Sequence, residues 1–458
     1  MTRRKNLIYI FADQWRYHAY GAAGEDDITT PAFDAFAQDS VFCTSALSTY
    51  PLCSPHRASL LTGKDPLSLG FYTNCKNGIA DRVMLYPQEI TISDVLHGEG
   101  YQTAYIGKWH LDSAEVNFYA DPSSGASAWD AFTPPGERRH HFDYWYSYGA
   151  MNDHLHPHYW RDDEKMINVE CWSAQHETDV FISYMEEARK NDRPILCFLS
   201  WNPPHPPYDL IDKERLALYS DQGDFRPNVP EEWRTDLSYL KARQEYFAAV
   251  AGLDQQFARI ISYLKATGLY DESVIVLSAD HGDCMGSHGL YGKNVWYEES
   301  IRIPLVIHDP DLAPGRCSSM IMSEDQMPTL LELLGAEIPQ TVTGLSQAAA
   351  LRGGEDQRPY AYLMSAPGMP EQQAPYRALG LDPRAYGWRS IRTEKEKYVV
   401  DNGTVPGAER RRLLYDLVND PYELSPEELS PSDPVSKHYD DLIRSSMRKP
   451  ADFFFMED

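Results

Sequence analysis

The sequence predicts an α/β fold in which helices flank a central sheet. Strand-like apolar runs alternate with amphipathic helical stretches, the order typical of such folds. The strand-like runs lie near residues 6–12, 101–107, 194–200, 273–279 and 303–308, and the clearest helical stretches lie at 91–99 and 240–267. Three short strand-like runs follow at 386–393, 397–400 and 414–417, and they indicate a smaller unit near the C-terminus.

The boundary between the two units is expected near residue 355. Segment 352–359 combines two glycines, several charged residues and a proline, which makes it the clearest linker. We therefore predict a larger domain over residues 1–355 and a subdomain over 356–458. A chain of 458 residues with 42% hydrophobic side chains can form a substantial core.

Composition excludes several classes of partner. The formal net charge of −26 argues against nucleic acid and makes long-range attraction of a polyanion poor. No apolar run approaches the ~20 residues of a membrane span, so no membrane partner is expected. The run 7–12 is too short for a signal-peptide core, which predicts a cytoplasmic protein unless a leader has been trimmed. Seven irregularly spaced cysteines without a C-x-x-C pair predict reduced thiols.

Potential metal ligands follow two of the strand-like runs. Asp13 and Gln14 follow the first run, and Asp280 and His281 follow the run at 273–279. Two strand tips that carry such groups can converge on one cation. Oxygen donors, including the amide oxygen of Gln14, suit Ca²⁺, whereas an imidazole donor leaves room for Mn²⁺. We expect Ca²⁺ first.

Cys53 is the candidate nucleophile. It begins the run Cys-Ser-Pro-His-Arg, which continues as a helix-like stretch to Lys64. At a helix start, free N–H groups and the helix dipole favour anions, and Arg57, one turn along, adds a fixed cation. A buried cysteine at an ordinary loop-to-helix junction also explains this pattern.

Several lysines and histidines in the loops after the strands are further candidate site residues. Lys108 and His110 follow the run at 101–107, His205 lies in a proline-rich loop, and Lys293 lies in a glycine-rich loop with His288. Flanking prolines fix the backbone around His205 in an extended loop. Taken singly, Lys108 is also explained as a solvated lysine, and His110 and His288 as structural histidines.

Four of these segments resemble, in the expected order, the signatures of the formylglycine-dependent type I sulfatases of the alkaline phosphatase superfamily. They surround Cys53, Lys108, His205 and Lys293. The resemblance implies an alkaline-phosphatase-like, mostly parallel central sheet in a catalytic domain, and a C-terminal α+β subdomain with an antiparallel sheet. It also implies that a formylglycine-generating enzyme oxidises Cys53 to formylglycine (3-oxoalanine).

The resemblance further implies a role for each candidate residue. A hydroxyl of the hydrated formylglycine attacks the sulfur of a sulfate ester while the metal lowers its pKa. His205, the candidate general acid, or Lys293 protonates or electrostatically supports the leaving oxygen, and His110 removes a proton so that sulfate is expelled. The sulfate charge is neutralised by Arg57, Lys108 and Lys293, and the metal is held by Asp13, Gln14, residue 53, Asp280 and His281.

The metal pattern departs from the commonest one of the family. Two consecutive aspartates are usual after the first strand and Asp-Asn is usual at the second, whereas this chain has Asp13-Gln14 and Asp280-His281. Similar variants occur among phosphonate and phosphate monoester hydrolases. The leading hypothesis is a sulfatase acting on a sulfated carbohydrate or another small sulfate ester. Its alternatives are a phosphonate or phosphate mono- or diester hydrolase with the same nucleophile, and a non-catalytic binder of sulfated ligands.

Substrate and assembly are the least determined features. A small cationic pocket in an acidic surface suits a small molecule or short glycan. The aromatic segment 140–160 is explained either as a pocket wall or as a packing layer. Arg389 and Arg392 are explained either as ligands of a substrate carboxylate or as residues of an edge strand. Oligomerisation is left open.

Overall fold

Fifteen strands and eleven α-helices form the part of the chain that the computed structural model describes, which is residues 4–79, 82–220, 223–354, 358–448, 450–452 and 454. The strands are β1 (Asn6–Asp13), β2 (Val41–Leu47), β3 (Gln102–Lys108), β4 (Tyr144–Tyr148), β5 (His158–Tyr159), β6 (Ile167–Asn168), β7 (Ile195–Pro204), β8 (Ser273–Ala279), β9 (Leu305–His308), β10 (Gly315–Met322), β11 (Ala361–Ser365), β12 (Trp388–Arg392), β13 (Glu396–Asp401), β14 (Arg411–Asp416) and β15 (Glu427–Glu428). The helices are α1 (Pro31–Gln38), α2 (Cys53–Thr62), α3 (Ile92–Gly98), α4 (Ser173–Ala188), α5 (Lys213–Leu216), α6 (Leu237–Thr267), α7 (Glu298–Ile301), α8 (Ser323–Leu334), α9 (Ala348–Leu351), α10 (Pro370–Ala378) and α11 (Pro434–Ser446).

An eight-stranded sheet lies at the centre, in the order β10-β2-β9-β8-β1-β7-β3-β4. Its pairings are parallel except those of β9 with β8 and with β2. Strands β1, β7 and β8 are buried along their whole length, as expected for strands covered on both faces. The predicted mostly parallel, helix-flanked sheet is confirmed.

The long helix α6 shows how the sequence sets the ends of an element. Asp236 caps its first turn, because the carboxylate accepts a hydrogen bond from the Tyr239 N–H at 2.8 Å. Gly268, with a φ of 78°, ends the helix in the left-handed conformation. Buried side chains that include Leu253 and Phe257 form the apolar face, and the helix packs against α1, α4 and β7.

A second, antiparallel sheet follows in the order β11-β12-β13-β14-β15, and α11 packs against β12. This confirms the predicted C-terminal antiparallel sheet. Leu363 and Trp388 of this sheet pack in one buried cluster with Leu47 and Ile301 of the preceding part of the chain. The boundary at residue 355 stays a prediction, because residues 355–357 lie outside the described residues.

The sequence did not predict the central strands β2, β4 and β10. Strand β4 lies inside the aromatic segment 140–160, where Tyr146, Tyr148, Tyr159 and Trp160 form a buried cluster. Packing therefore explains these four side chains, whereas His158 and residues 151–153 of the same segment line a cavity of the protein.

The edge-strand interpretation of Arg389 and Arg392 is wrong, since β12 lies between β11 and β13. Arg389 pairs with Asp452 and Arg392 with Glu298, each at 2.9 Å, and all four side chains are buried. All seven cysteines are free thiols. None of the described helices combines the length and apolar character needed to traverse a bilayer.

Candidate active site

The candidate site lies where the central strands end. Strands β8, β1, β7 and β3 are parallel neighbours, so their carboxyl ends meet at one edge of the sheet, the usual ligand position in open α/β sheets. Asp13 is the last residue of β1, Lys108 is the last of β3, and Asp280 directly follows β8. The fold thus brings together residues that are far apart in the sequence.

Two glycines near these residues are required by close backbone approach. A Cβ atom at Gly107, whose φ is 95°, would lie 2.1 Å from the carbonyl oxygen of Ser200. A Cβ atom at Gly282 would lie 1.9 Å from the carbonyl oxygen of Glu299. A side chain at either position would push apart the segments that carry the candidate residues.

Cys53 is the first residue of α2 and is 1% exposed. Its Sγ lies 3.1 Å from Lys293 Nζ, 3.3 Å from His281 Nε2 and 3.7 Å from Asp13 Oδ1. Burial and Asp13 oppose ionisation of the thiol, but Lys293, Lys108 and His281 outweigh them, so the pKa of Cys53 lies well below its usual value. An ordinary structural cysteine does not explain these cationic surroundings.

Arg57 uses its donors on protein groups. Its Nε donates to Asp280 at 3.1 Å, and its Nη2 lies 3.0 Å from a carboxylate oxygen of both Asp13 and Asp280. Its Nη1 donates to the carbonyl oxygen of Lys108 at 2.8 Å and to Ser200 Oγ at 2.7 Å. Arg57 therefore makes four hydrogen bonds to protein groups and holds the two carboxylates together, and the sulfate-binding role that the resemblance implied stays a prediction.

Four buried side chains offer donor atoms for one cation. The donors of Asp13, Cys53, Asp280 and His281 all lie within 4.8 Å of one another. His281 Nδ1 donates to the carbonyl oxygen of Gly282 at 3.0 Å, which leaves Nε2 as the ligand atom beside the carboxylates. Burial and Asp13 raise the pKa of Asp280 to about 6, because two buried carboxylates repel each other. A divalent cation would remove that repulsion, so the donor set fits a metal ion.

The side-chain amide of Gln14 has a fixed orientation. Its Nε2 donates to Asp283 Oδ2 at 2.5 Å, and its Oε1 accepts from Lys293 Nζ at 2.7 Å. Buried Asp283 is held in turn by the N–H groups of Met285 at 2.8 Å and Gly292 at 2.9 Å. Because Asp283 binds the nitrogen, the amide oxygen is the atom that Gln14 presents beside Cys53.

Lys108 and Lys293 are the cations next to this cluster. Lys108 Nζ lies 2.8 Å from Asp13 Oδ2 and donates to Asn202 Oδ1 at 3.3 Å. Burial disfavours the charged form of Lys293, but Cys53 and Asp13 outweigh burial and raise the pKa of Lys293. Lys293 therefore carries a positive charge at neutral pH.

His110 and His205 are held as neutral acceptors. His110 Nε2 donates to the carbonyl oxygen of Cys75 at 3.0 Å, and its buried Nδ1 has no hydrogen-bond partner among the described residues. His205 Nδ1 donates to the carbonyl oxygen of Pro206 at 2.7 Å. Burial lowers the pKa of His110, and burial together with Lys293 lowers the pKa of His205 to about 3. Neutral His205 cannot donate the proton expected of it until an anionic ligand raises its pKa.

A cavity lies next to the candidate site. Its volume of about 830 Å³ is within the range of small-molecule binding sites. Gln14, His205 and Lys293 line it, together with Lys76 and Trp129 from two loops.

His288 is not among the residues that line this cavity. Its ring stacks on Tyr297 at a centroid distance of 3.6 Å, and its Nε2 lies 3.1 Å from Asn228 Nδ2. The structural explanation of His288 accounts for these contacts.

The family follows from comparison with known proteins. The sequence profile of the family described as Sulfatase matches residues 5–336. This chain belongs to the sulfatase family. It is therefore a sulfuric ester hydrolase with the sulfatase fold.

Individual relatives of this sulfatase share most of its length. An endo-4-O-sulfatase of Bacteroides thetaiotaomicron is 35% identical over 455 residues, which cover 92% of this chain and 87% of the relative. An ulvan-active sulfatase of Formosa agariphila is 31% identical, with 92% of this chain and 76% of the relative covered. A solved B. thetaiotaomicron sulfatase from work on glycosaminoglycan metabolism has a TM-score of 0.85 and 32% identity, with 95% of this chain and 94% of that chain covered.

The sulfatase site also contains side chains that the sequence did not predict. Asn74 Nδ2 lies 3.8 Å from Cys53 Sγ, Asn202 contacts Lys108, and Asp283 fixes the amide of Gln14. Asp283 is a carboxylate in the same motif as Asp280, and Asn202 precedes the proline-rich loop, so both had a recognisable signal. Asn74 lies in a loop without any such signal.

Proposed function

We propose that this sulfatase hydrolyses sulfate monoesters of carbohydrates by means of a formylglycine formed from Cys53. A formylglycine-generating enzyme would carry out that conversion. The observation that carries the proposal is the position of Cys53 at the start of α2, in contact with Lys293, His281 and Asp13. A carbohydrate substrate is supported by the endo-4-O-sulfatase and the ulvan-active sulfatase among the relatives.

We assign a divalent cation, Ca²⁺ first and Mn²⁺ as the alternative, to the buried donor cluster. Asp13, Gln14, Asp280 and His281 would hold it together with residue 53. When bound, the cation would act as a Lewis acid at residue 53, where the modification supplies the hydrated aldehyde. Three carboxylate or amide side chains favour Ca²⁺, whereas the imidazole of His281 accommodates Mn²⁺.

The chain's own side chains bind the ester and move protons. Lys108 and Lys293 attract the sulfate oxygens in a buried site, where charge interactions are strong. Lys293 is charged and adjacent to residue 53, so it is the better placed of Lys293 and His205 to support the departing oxygen. His110 presents a free Nδ1 and can accept a proton from a hydroxyl at residue 53, the step that expels sulfate.

Mass spectrometry of the peptide that contains Cys53 tests this proposal. In protein co-expressed with a formylglycine-generating enzyme, conversion of the thiol to the aldehyde lowers the peptide mass by about 18 Da. Converted protein should release sulfate from sulfated saccharides, and protein with Cys53→Ala should not. Full conversion without turnover of any sulfate ester would refute the proposed activity, and ligand binding alone would then support the non-catalytic binder.

The metal-ligand residues also leave hydrolysis of phosphonate or phosphate esters as a rival activity, which can be tested. An amide at Gln14 and an imidazole at His281 replace two of the carboxylate or amide ligands usual in sulfatases. Converted protein should therefore be assayed in parallel on sulfate monoesters, phosphate diesters and phosphonate monoesters. A higher kcat/KM on sulfate supports the proposal, whereas a higher kcat/KM on phosphonate would favour the rival.

A further inference from the structure

Lys76 is a buried cation in the wall of the active-site cavity, and no carboxylate of the described residues forms an ion pair with it. Its side chain is 3% exposed, and among the described residues no carboxylate lies within ion-pair distance of its Nζ. The described polar contact of Nζ is with the thioether sulfur of Met369, at 3.0 Å. Burial lowers the pKa of Lys76 to about 8, and the more distant attractions of Glu371 and Cys53 offset only part of that effect. An ammonium group that loses water without gaining an ion pair costs stability, so a gain in stability does not explain this residue.

Other buried lysines of the protein show the usual arrangement. Lys397 is fully buried and lies 3.2 Å from a carboxylate oxygen of Glu298. At the active site, Lys108 lies 2.8 Å from Asp13 and Lys293 lies 3.1 Å from Cys53. Lys76 differs from these lysines because it lines the cavity without an ion pair to any described residue.

An aromatic ring lies beside this charge. Lys76 Nζ is 5.3 Å from the ring centroid of Trp129, and both residues line the cavity. The Trp129 ring is also stacked with His110, at a centroid distance of 6.3 Å and an interplanar angle of 25°. Trp129 therefore connects the reacting centre with Lys76. An aromatic face next to a cation suits a sugar ring that bears an anionic substituent.

The backbone around Lys76 is tied to the reacting centre. Asn117 Nδ2 donates to the carbonyl oxygen of Lys76 at 2.9 Å, and Asn117 Oδ1 accepts from the Gly78 N–H at 3.0 Å. Two residues before Lys76, the Asn74 side chain lies 3.8 Å from Cys53 Sγ and accepts from the Ser54 N–H at 3.0 Å. These contacts fix the position of Lys76 relative to residue 53.

We propose that Lys76 and Trp129 form a subsite that binds a second anionic group of the glycan, either a carboxylate or a second sulfate, while the scissile sulfate lies at residue 53. This inference rests on the proposed sulfatase function and specifies its substrate class. The substrate is then an oligosaccharide with at least two negative charges.

The subsite is tested with three oligosaccharides that share one scissile sulfate. The first carries a free carboxylate, the second carries the same carboxylate as its methyl ester, and the third carries a second sulfate in its place. Lys76→Gln should lower kcat/KM by about 10- to 100-fold on the charged substrate, mainly through KM, the size expected for losing a hydrogen bond between charged groups. On the methyl ester, Lys76→Gln should change kcat/KM less than about twofold. The charged form that shows the larger loss identifies the natural substituent.

Lys395→Gln is the matched control, because it removes one positive charge at an exposed turn outside the cavity. It should leave kcat/KM unchanged on all three substrates. Since Lys76 forms no ion pair with a described residue, Lys76→Gln should keep or raise the Tm of the wild type. An equal loss by Lys76→Gln on the charged and esterified substrates, or no loss on any, would overturn the subsite.

Calorimetric binding separates failure of the subsite from failure of the sulfatase function. Cys53→Ala protein should bind a charged oligosaccharide about 10- to 100-fold more tightly than the double variant with Lys76→Gln. That difference without turnover by converted wild-type protein would support the subsite and refute the sulfatase function. Turnover without any such difference would support the sulfatase function and refute the subsite.

Discussion

Replacing Arg57 by methionine should destabilise the protein in a metal-dependent way. The substitution leaves Asp13 and Asp280 buried without the guanidinium that they share. Removing one partner of a buried ion pair costs about 3–5 kcal/mol. The entropy of unfolding is about 2.1 cal/mol/K per residue, or ~1 kcal/mol/K for 458 residues, so in a chelator the Tm should fall by about 3–5 °C.

Differential scanning calorimetry with EDTA and with Ca²⁺ measures this effect. Ca²⁺ should raise the Tm of Arg57→Met more than that of the wild type, because the cation replaces positive charge between the carboxylates. Arg389→Met is the matched control, since it breaks a buried pair with Asp452 and should lower the Tm without an added Ca²⁺ response. A wild-type Tm for Arg57→Met in EDTA, with a raised KM for the ester, would refute this reasoning and return Arg57 to sulfate binding.

Three further predictions concern the same site. Asp283→Ala should lower the affinity for the metal ion about 10- to 100-fold, because Asp283 no longer holds the amide of Gln14. Calorimetric titration measures this affinity, and an unchanged value would exclude the positioning role of Asp283. Burial lowers the pKa of His110, so its neutral, proton-accepting form persists below pH 6.5, and activity should fall only at still lower pH. A pH–rate profile of His110→Ala that keeps the same fall in activity at low pH would contradict this role. In protein purified without modification, Lys293→Ala should raise the pKa of Cys53, because Lys293 is the cation that lowers the pKa of the Cys53 thiol most. The pH dependence of the rate of alkylation by iodoacetamide should then shift to higher pH. An unshifted profile would refute this role of Lys293.

The parts of the fold that the sequence predicted share one property. Strands β1, β7 and β8 are nearly continuous apolar runs because helices cover both faces of the sheet, and such runs can be recognised in a sequence. Strand β10 is mostly polar in its first half and apolar only in its last three residues, and β4 is almost entirely aromatic. Their pairing depends on neighbouring strands, so local pattern alone did not reveal them.

In the candidate site, too, the sequence predicted some features and not others. The motifs located Cys53 and the strand-end residues, because these are encoded by short runs of residues. The state of each group depends on what the fold packs around it. Arg57 is held by carboxylates and a backbone carbonyl at the ends of three strands, and His205 is neutral because burial and a lysine distant in the sequence act on it together. Lys76 belongs to no motif and stands out only through its burial.

The wall of the cavity and the candidate catalytic residues come from different parts of the chain. Asp13, Lys108 and Asp280 lie at strand ends of the central sheet, where any shift disturbs several of them at once. Met369, which contacts Lys76, lies in the connection between β11 and α10, within the C-terminal part of the chain. Insertions or substitutions in that connection can remodel the wall without moving the strand ends. Evolution can therefore redirect such an enzyme toward new sulfate esters while its chemistry stays unchanged.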